Sequence, residues 1–187
     1  MITQNLISKI QEFAKIDGPM ETHQLIANET GQRLAEKLSA NNNIVLLGTL
    51  LMDCIIGIAI KENRLSDHVQ MCFDKTKEIL DLDSEITPEE KENVLACVKE
   101  HHGVQKFYSI ESEIVCNSDC YRFASVKGMF YTLRYFRSMP DIDFITLIKT
   151  KFNEKKNCVS LDIVKEELND QFIAIENYLN LLSQKYS

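Results

Sequence analysis

The feature that most constrains the fold of this chain is an apolar run that contains a single carboxylate. Residues 44–60 read IVLLGTLLMDCIIGIAI, with Asp53 near the middle of the run. The run is at the short limit for crossing a bilayer, and an aspartate at the centre of a spanning helix costs roughly 2.5–3.5 kcal/mol. No second long apolar run accompanies it in the sequence. The pattern therefore predicts a buried helix that keeps Asp53 for chemistry.

Helical spacing of apolar residues extends through almost the whole chain, which contains only three prolines and six glycines. Thr87, Pro88 and Glu90 form a strong start signal, with an N-cap, a first-turn proline and a glutamate at the capping-box position. No run alternates with period two, so the sequence predicts an all-α fold with strands at most short. Helices are predicted near 2–16, 20–39, 44–56, 66–82, 88–102, 110–126, 128–138, 141–154 and 160–185.

The length of 187 residues suits one domain, or a core with an appendage. The interpretation adopted is a helical core over 1–126 and a C-terminal helical extension over 127–187, packed together as one structural unit. Apolar residues recur every three or four positions in the last helix: Leu161, Val164, Leu168, Phe172, Ile175, Leu179 and Leu182. Such a stripe is typical of a helix that faces a core, and a homodimer interface is the alternative.

Charge and cysteine content restrict the partners and the compartment. The net charge of −7 argues against binding of extended nucleic acid, but it leaves nucleotides open. The amino terminus is amphipathic and lacks the basic start of a signal peptide, so we expect a cytoplasmic protein without a membrane anchor. The six cysteines are then expected to be reduced. Cys116 and Cys120 are interpreted as core residues, with a zinc-ligand pair as the alternative.

The four histidines and two carboxylates form a candidate metal-binding constellation. His23 lies on an apolar helical stripe, and His68 opens a later amphipathic helix. His101 and His102 close the helix that begins at Thr87. Two carboxylates also occupy apolar segments: Asp53 and Asp119. One reason to bury imidazoles and carboxylates together is that a divalent cation offsets their desolvation.

This order resembles the HD superfamily of metal-dependent phosphohydrolases, and the resemblance covers about residues 23–122. That family carries an early histidine, a His-Asp pair at the end of an apolar helix, further histidines and a late aspartate. His23 matches the first position, and Asp53 matches the aspartate of the pair. The later positions are matched by His68, His101, His102 and Asp119.

The resemblance implies an HD-domain-like helical bundle with additional C-terminal helices, and a divalent metal ion among Mn, Mg, Fe, Ni, Co and Zn. The implied metal ligands are His23, Asp53 and Asp119. His68, His101 and His102 would hold a second ion, or His68 and His101 would contact the substrate phosphate instead. The resemblance implies three catalytic residues: Asp53, His68 and His101. The implied reaction is hydrolysis of a nucleotide or another small phosphoester through a metal-activated water.

One position departs from the family pattern. The pair reads Met52-Asp53, so a thioether stands where the family has its histidine, and a thioether is a poor ligand for hard or borderline ions. The alternative hypothesis is therefore a degenerate HD domain that binds a ligand or partner without catalysis. Four cations are candidates for substrate phosphate, with surface placement the expectation for each: Lys61, Arg64, Arg122 and Lys127.

Overall fold

The structure, a computed structural model, describes residues 1–136, 138 and 140–184, without the side chains of 141 and 142. These residues form ten α-helices and no strand, which confirms the all-α prediction. The predicted helices 128–138 and 160–185 each include one position, 137 and 185, that lies outside the described residues. The helices are α1 (Gln4–Asp17), α2 (Glu21–Leu38), α3 (Asn42–Leu51), α4 (Ile56–Lys61), α5 (His68–Asp81), α6 (Pro88–Glu100), α7 (Ile110–Ala124), α8 (Val126–Tyr135), α9 (Asp141–Cys158) and α10 (Asp162–Leu182). A short 3-10 turn, Leu65–Asp67, precedes α5.

The apolar run predicted to be buried forms the core of the bundle. Helix α3 packs against α1, α2, α6 and α7, and Val45, Leu47 and Leu51 are fully buried. The segment Asn42–Lys61 has the length and apolar composition of a membrane span, but 61% of its most apolar window is buried inside the fold. This burial is what the core helix of a helical bundle shows.

The prediction of one continuous helix over 44–56 was wrong at its C-terminal end. Helix α3 ends at Leu51, and a tight turn follows before α4 begins at Ile56. In this turn the Cys54 amide donates to the Leu51 carbonyl over 3.2 Å, and the Ile56 amide donates to the Asp53 carbonyl over 3.0 Å. The turn leaves Asp53 directly beyond the end of α3, with 3% of its surface exposed.

Local capping signals set the starts of the two helices that complete the site. Thr87 and Glu90 form the predicted capping box at the start of α6. Helix α7 begins with a second capping box, in which the Ser109 hydroxyl accepts from the Ser112 amide. Residues on nearly every face of α7 are buried, because α2, α3, α6, α8, α9 and α10 all pack around it. Side chains that α7 carries are therefore held in the interior.

The C-terminal helices close the bundle over α7. Val164 and Leu168 of α10 join the main core, and the packing of Ile175 and Leu179 forms a second cluster with α8 and α9. These contacts confirm that α10 faces a core, while a homodimer and the division at residue 126 stay predictions. Glu167 also ties α10 to α2 and α7, because it accepts two hydrogen bonds from Arg33, at 2.6 and 2.7 Å, and one from Tyr121.

Candidate metal centre

Three of the predicted site residues form a compact imidazole cluster. His68 is the first residue of α5, and His101 and His102 directly follow α6. One ring nitrogen from each lies within 4.8 Å of the others, and the Nε2 atoms of His68 and His102 are 3.2 Å apart. His101 is fully buried, whereas the side chains of His68 and His102 keep 12% and 31% of their surface exposed. The cluster is therefore rigid on one side and reachable from solvent on the other.

Two of the imidazoles, His68 and His101, are held so that Nε2 presents a lone pair to the cluster. Nδ1 of His68 lies 2.7 Å from the Leu65 carbonyl, and Nδ1 of His101 lies 2.7 Å from the Val98 carbonyl. A carbonyl only accepts, so Nδ1 carries the proton in both rings and Nε2 does not. Backbone carbonyls that fix the tautomer in this way are the usual second shell of histidine metal ligands.

The third ring has a different tautomer. Nδ1 of His102 lies 2.9 Å from Oε1 of Glu154, but that oxygen has no hydrogen-bond partner among the described residues, and Nδ1 is hydrogen-bonded to Nζ of Lys155 over 3.4 Å. An ammonium only donates, so Nδ1 of His102 accepts and its Nε2 carries the proton. Nε2 of His102 donates this proton to Nε2 of His68 over 3.2 Å. A metal ion bound by all three rings would take the place of that proton.

Asp53 supplies an oxygen to the same cluster. Its Oδ1 lies 3.6 Å from Nε2 of His68 and 3.7 Å from Nε2 of His101. Neither this oxygen nor Nε2 of His101 has a hydrogen-bond partner, although both are buried. Ligands about 2.1 Å from a tetrahedral ion are about 3.4 Å apart, close to these spacings. The spacings of Oδ1 of Asp53 to His68 and His101, and of His68 to His102, therefore suit ligands of one divalent ion.

The other half of the centre carries two cations that the sequence did not assign to it. Nη1 of Arg122 donates to Oδ2 of Asp53 over 2.6 Å and to Oδ1 of Asp119 over 2.7 Å. Nζ of Lys155 forms an ion pair with Oδ2 of Asp119 at 2.5 Å. Arg122 and Lys155 are 4% and 2% exposed. The space between the two carboxylates is thus already filled by positive charge, and this part of the centre does not fit a further metal ion.

His23 lies apart from the imidazole cluster. Its Nε2 is 3.0 Å from Oγ1 of Thr132, whose own proton goes to the Gly128 carbonyl over 2.9 Å. Nε2 of His23 is therefore a donor, and the ring also packs edge-on against Phe123. Among the described residues His23 makes no ion pair with either carboxylate. Its role as a metal ligand stays a prediction from the resemblance.

Burial and neighbouring charge shift the pKa values of the centre. Burial raises the pKa of Asp53, but the Arg122 guanidinium outweighs it and lowers the pKa to about 2. Burial also raises the pKa of Asp119, but the charges of Lys155 and Arg122 outweigh it and hold this pKa well below its usual range. Burial lowers the pKa of His102 to about 4, and it lowers the pKa of His101 as well. At neutral pH the carboxylates are charged and these imidazoles are neutral, the forms in which both bind metal ions.

Arg122 corrects the expectation that all four candidate cations lie at the surface. Lys61, Arg64 and Lys127 are exposed as predicted, and each pairs with a nearby carboxylate. Arg122 is instead buried on α7, one helical turn after Asp119. Met52, at the departure from the family pattern, is fully buried in the main core. Cys116 and Cys120 are buried free thiols, as the core interpretation predicted.

Lys155 and Glu154, which come from the C-terminal extension, were not predicted as residues of the site. One signal for Lys155 was available, because it follows Phe152 by three positions and Ile148 by seven. All three side chains are buried on one face of α9. A lysine on an apolar stripe requires a buried carboxylate partner, and in this chain the partner is Asp119.

The burial of His23 predicts a measurable acid sensitivity. Burial, together with the Arg122 charge, lowers the pKa of His23 from 6.5 to about 3. Below the unfolded pKa the unfolded chain binds a proton that the folded chain does not. Stability is therefore lost as the pH falls from 6.5 towards 3, by about 1.4 kcal/mol per pH unit, with no contribution above that window. His23→Gln should remove this part of the pH dependence in urea denaturation. Equal pH slopes for the two proteins would contradict the assigned burial.

Solved structures with this fold define the class of the domain. Bacillus subtilis YpgQ is 16% identical over 95% of this chain and 94% of that chain, with a TM-score of 0.67. YpgQ in complex with ADP gives 15% identity over 95% and 91%, with a TM-score of 0.63. An HD-superfamily hydrolase from Bacillus thuringiensis gives 17% identity over 95% and 93%, with a TM-score of 0.61.

These likenesses extend over nearly the full length of both chains, including the C-terminal helices. The chain therefore has an HD-like helical fold. No family model matches the sequence, and neither does any curated protein. At this level of identity the likeness concerns the fold alone, so the chemistry of the centre has to be argued from the side chains described above.

Proposed function

We propose that this protein is an HD-type metal-dependent phosphohydrolase that acts on a nucleotide or a similar small phosphoester. The observation that carries the proposal is the grouping of three imidazoles beside the unpartnered oxygen of Asp53. Two structures of the same fold also support the proposal: one is an HD-superfamily hydrolase, and the other is YpgQ in complex with ADP.

In this proposal the ion is held by His68, His101, His102 and Oδ1 of Asp53. Three imidazoles and one carboxylate favour Zn, Fe, Co, Ni or Mn over Mg, which prefers oxygen ligands. A divalent ion at this place supplies Lewis acidity towards a phosphoryl oxygen and makes water a better nucleophile at neutral pH. The residues themselves keep the donors in place. Arg122 holds Oδ2 of Asp53, so that Oδ1 points to the histidines.

The substrate would approach from the exposed side of the cluster, where the His102 side chain keeps 31% of its surface in contact with solvent. The opposite side is closed by the buried His101 and by the core around α7. A phosphoryl group on the open side would come next to the ion without displacing any side chain from the core.

The alternative is an HD-like domain that binds a nucleotide or a protein partner without catalysis. The buried Met52 and the two cations beside the carboxylates favour it, because both depart from a centre built around several ions. Nucleotide binding without release of phosphate, in the presence of each candidate ion, would support this alternative.

The test is to measure metal content and phosphate release together. Protein purified without chelator should contain a stoichiometric transition metal, and ADP or other nucleotides should be hydrolysed with added Co²⁺, Mn²⁺ or Zn²⁺. His68→Gln removes one imidazole from the edge of the cluster and should lower metal affinity about 10- to 100-fold or more. Gln70→Ala, on the exposed face of α5, is the matched control and should behave as the parent protein. Metal-free protein that no ion activates would refute the enzyme proposal.

A further inference from the structure

The part of the centre around Asp119 has no net charge. It contains two carboxylates, Asp53 and Asp119, and two cations, Arg122 and Lys155, and each of the four is at most 4% exposed. Buried charges persist only when they are paired, so this balance is a condition for the fold. A divalent ion added between the carboxylates would carry two positive charges into a space that is already neutral.

Arg122 and Lys155 also occupy carboxylate oxygens that such an ion would need as ligands. Arg122 Nη1 is shared between Oδ2 of Asp53 and Oδ1 of Asp119, and Lys155 Nζ contacts the other oxygen of Asp119. Among the described residues, two of the four carboxylate oxygens lack a hydrogen-bond partner, but Oδ2 of Asp119 is ion-paired with Lys155, whereas Oδ1 of Asp53 faces the imidazoles. Met52, beside Asp53, offers only a thioether, which is a weak ligand for these ions.

We propose that Arg122 and Lys155 are fixed internal cations that take the place of a metal ion between Asp53 and Asp119. The protein then binds a single ion, at the imidazole cluster. Removing the two cations opens a second ion site between the carboxylates. The proposal rests on the ion-binding part of the proposed function only for the first ion, since the second site is defined by different residues.

The experiment counts Co²⁺ ions in chelator-treated protein by calorimetric titration and elemental analysis, and it follows the melting temperature with and without Co²⁺. The parent protein should bind one ion per chain. Arg122→Met with Lys155→Met should melt at a lower temperature in chelator and should bind two ions. Saturation of the new site at about 100 times its Kd should raise the Tm of the variant by roughly 5–10 °C more than that of the parent.

The matched control removes two exposed positive charges, through Lys61→Met and Lys127→Met, and lowers the net charge by the same amount. This control should still bind one ion, which separates a built site from general attraction to an acidic protein. If the double variant fails to fold, Met52→His with Arg122→Met tests the same space with a nitrogen ligand added. Met52→His alone should add no ion, because Arg122 still fills the space.

The outcomes separate the two proposals. Two ions bound to the parent protein would overturn the inference outright, and so would a folded double variant that binds no more Co²⁺ than the parent. A parent that binds no ion would remove the proposed enzyme. In that case the inference would still be supported by one ion in the double variant and overturned by none.

Discussion

Asp53→Asn is expected to lower the affinity of the centre for Co²⁺ by at least about 100-fold and to reduce nucleotide hydrolysis to background. Oδ1 of Asp53 lies beside Nε2 of both His68 and His101, and asparagine keeps its volume while removing the negative charge. The amide also leaves these imidazoles without an anionic ligand on this side. Titration with Co²⁺ and an assay of phosphate release measure the two effects on the same preparation.

Asp74→Asn is the matched control, because Asp74 is an exposed aspartate on α5 whose side chain bonds only to Gln70. It should bind Co²⁺ and hydrolyse nucleotides as the parent does. The melting temperature of Asp53→Asn should fall, because Arg122 loses one of its two carboxylates, so both measurements are made at a temperature where far-ultraviolet circular dichroism shows helical protein. Unaltered ion affinity in Asp53→Asn would mean that the histidines bind metal without this carboxylate, and the proposed centre would be wrong.

Asp119→Asn is expected to destabilise the fold by about 3–5 kcal/mol and to lower the melting temperature by roughly 10 °C or more. The substitution leaves the Lys155 ammonium buried beside a neutral amide and removes one of the two carboxylates that Arg122 bridges. Breaking one partner of a buried ion pair costs more than the pair itself contributes, because the remaining charge cannot return to water. Thermal melts followed by circular dichroism measure the effect.

Two comparisons sharpen this second prediction. Asp162→Asn removes an aspartate that is 91% exposed and pairs with Lys165, so its melting temperature should match that of the parent. Adding Lys155→Met to Asp119→Asn should recover part of the lost stability, because the unpaired ammonium is then gone. A double variant that is less stable than Asp119→Asn would show that the two side chains do not act as a pair.

The sequence predicted the helices well because their signals are local. Two kinds of signal act within one or two helical turns: the spacing of apolar residues by three and four positions, and the capping box at Thr87 and Glu90. Because they are local, they can be recognised in the sequence without knowledge of the tertiary contacts. The break after Leu51 had no such signal. No proline lies there, and the nearest following glycine, Gly57, is already inside α4. The turn places Asp53 opposite Arg122, a contact between residues 69 positions apart.

The candidate site was predictable in its residue types but not in its grouping. The order of histidines and aspartates singled out the candidate side chains, and the structure groups His68, His101 and His102, with Asp53 beside the first two. The order of residues does not show which buried carboxylate is neutralised by which buried cation. That depends on how α9 packs on α7, and packing between distant helices leaves no repeat or spacing in the sequence.

Lys155 also determines whether this centre could form in a shorter fragment or in another protein scaffold. Its ammonium reaches Asp119 from α9, whereas the motifs that resemble the HD pattern all lie before residue 122. A fragment that ended near residue 126 would keep both carboxylates and lose one of their two counter-charges, and His102 would lose the hydrogen bond that Lys155 donates to its Nδ1. The centre therefore depends on the whole helical bundle, including α9, and not only on the segment that carries the motifs. Grafting the histidines and aspartates onto another scaffold would transfer the ligands without the charge balance that lets them stay buried.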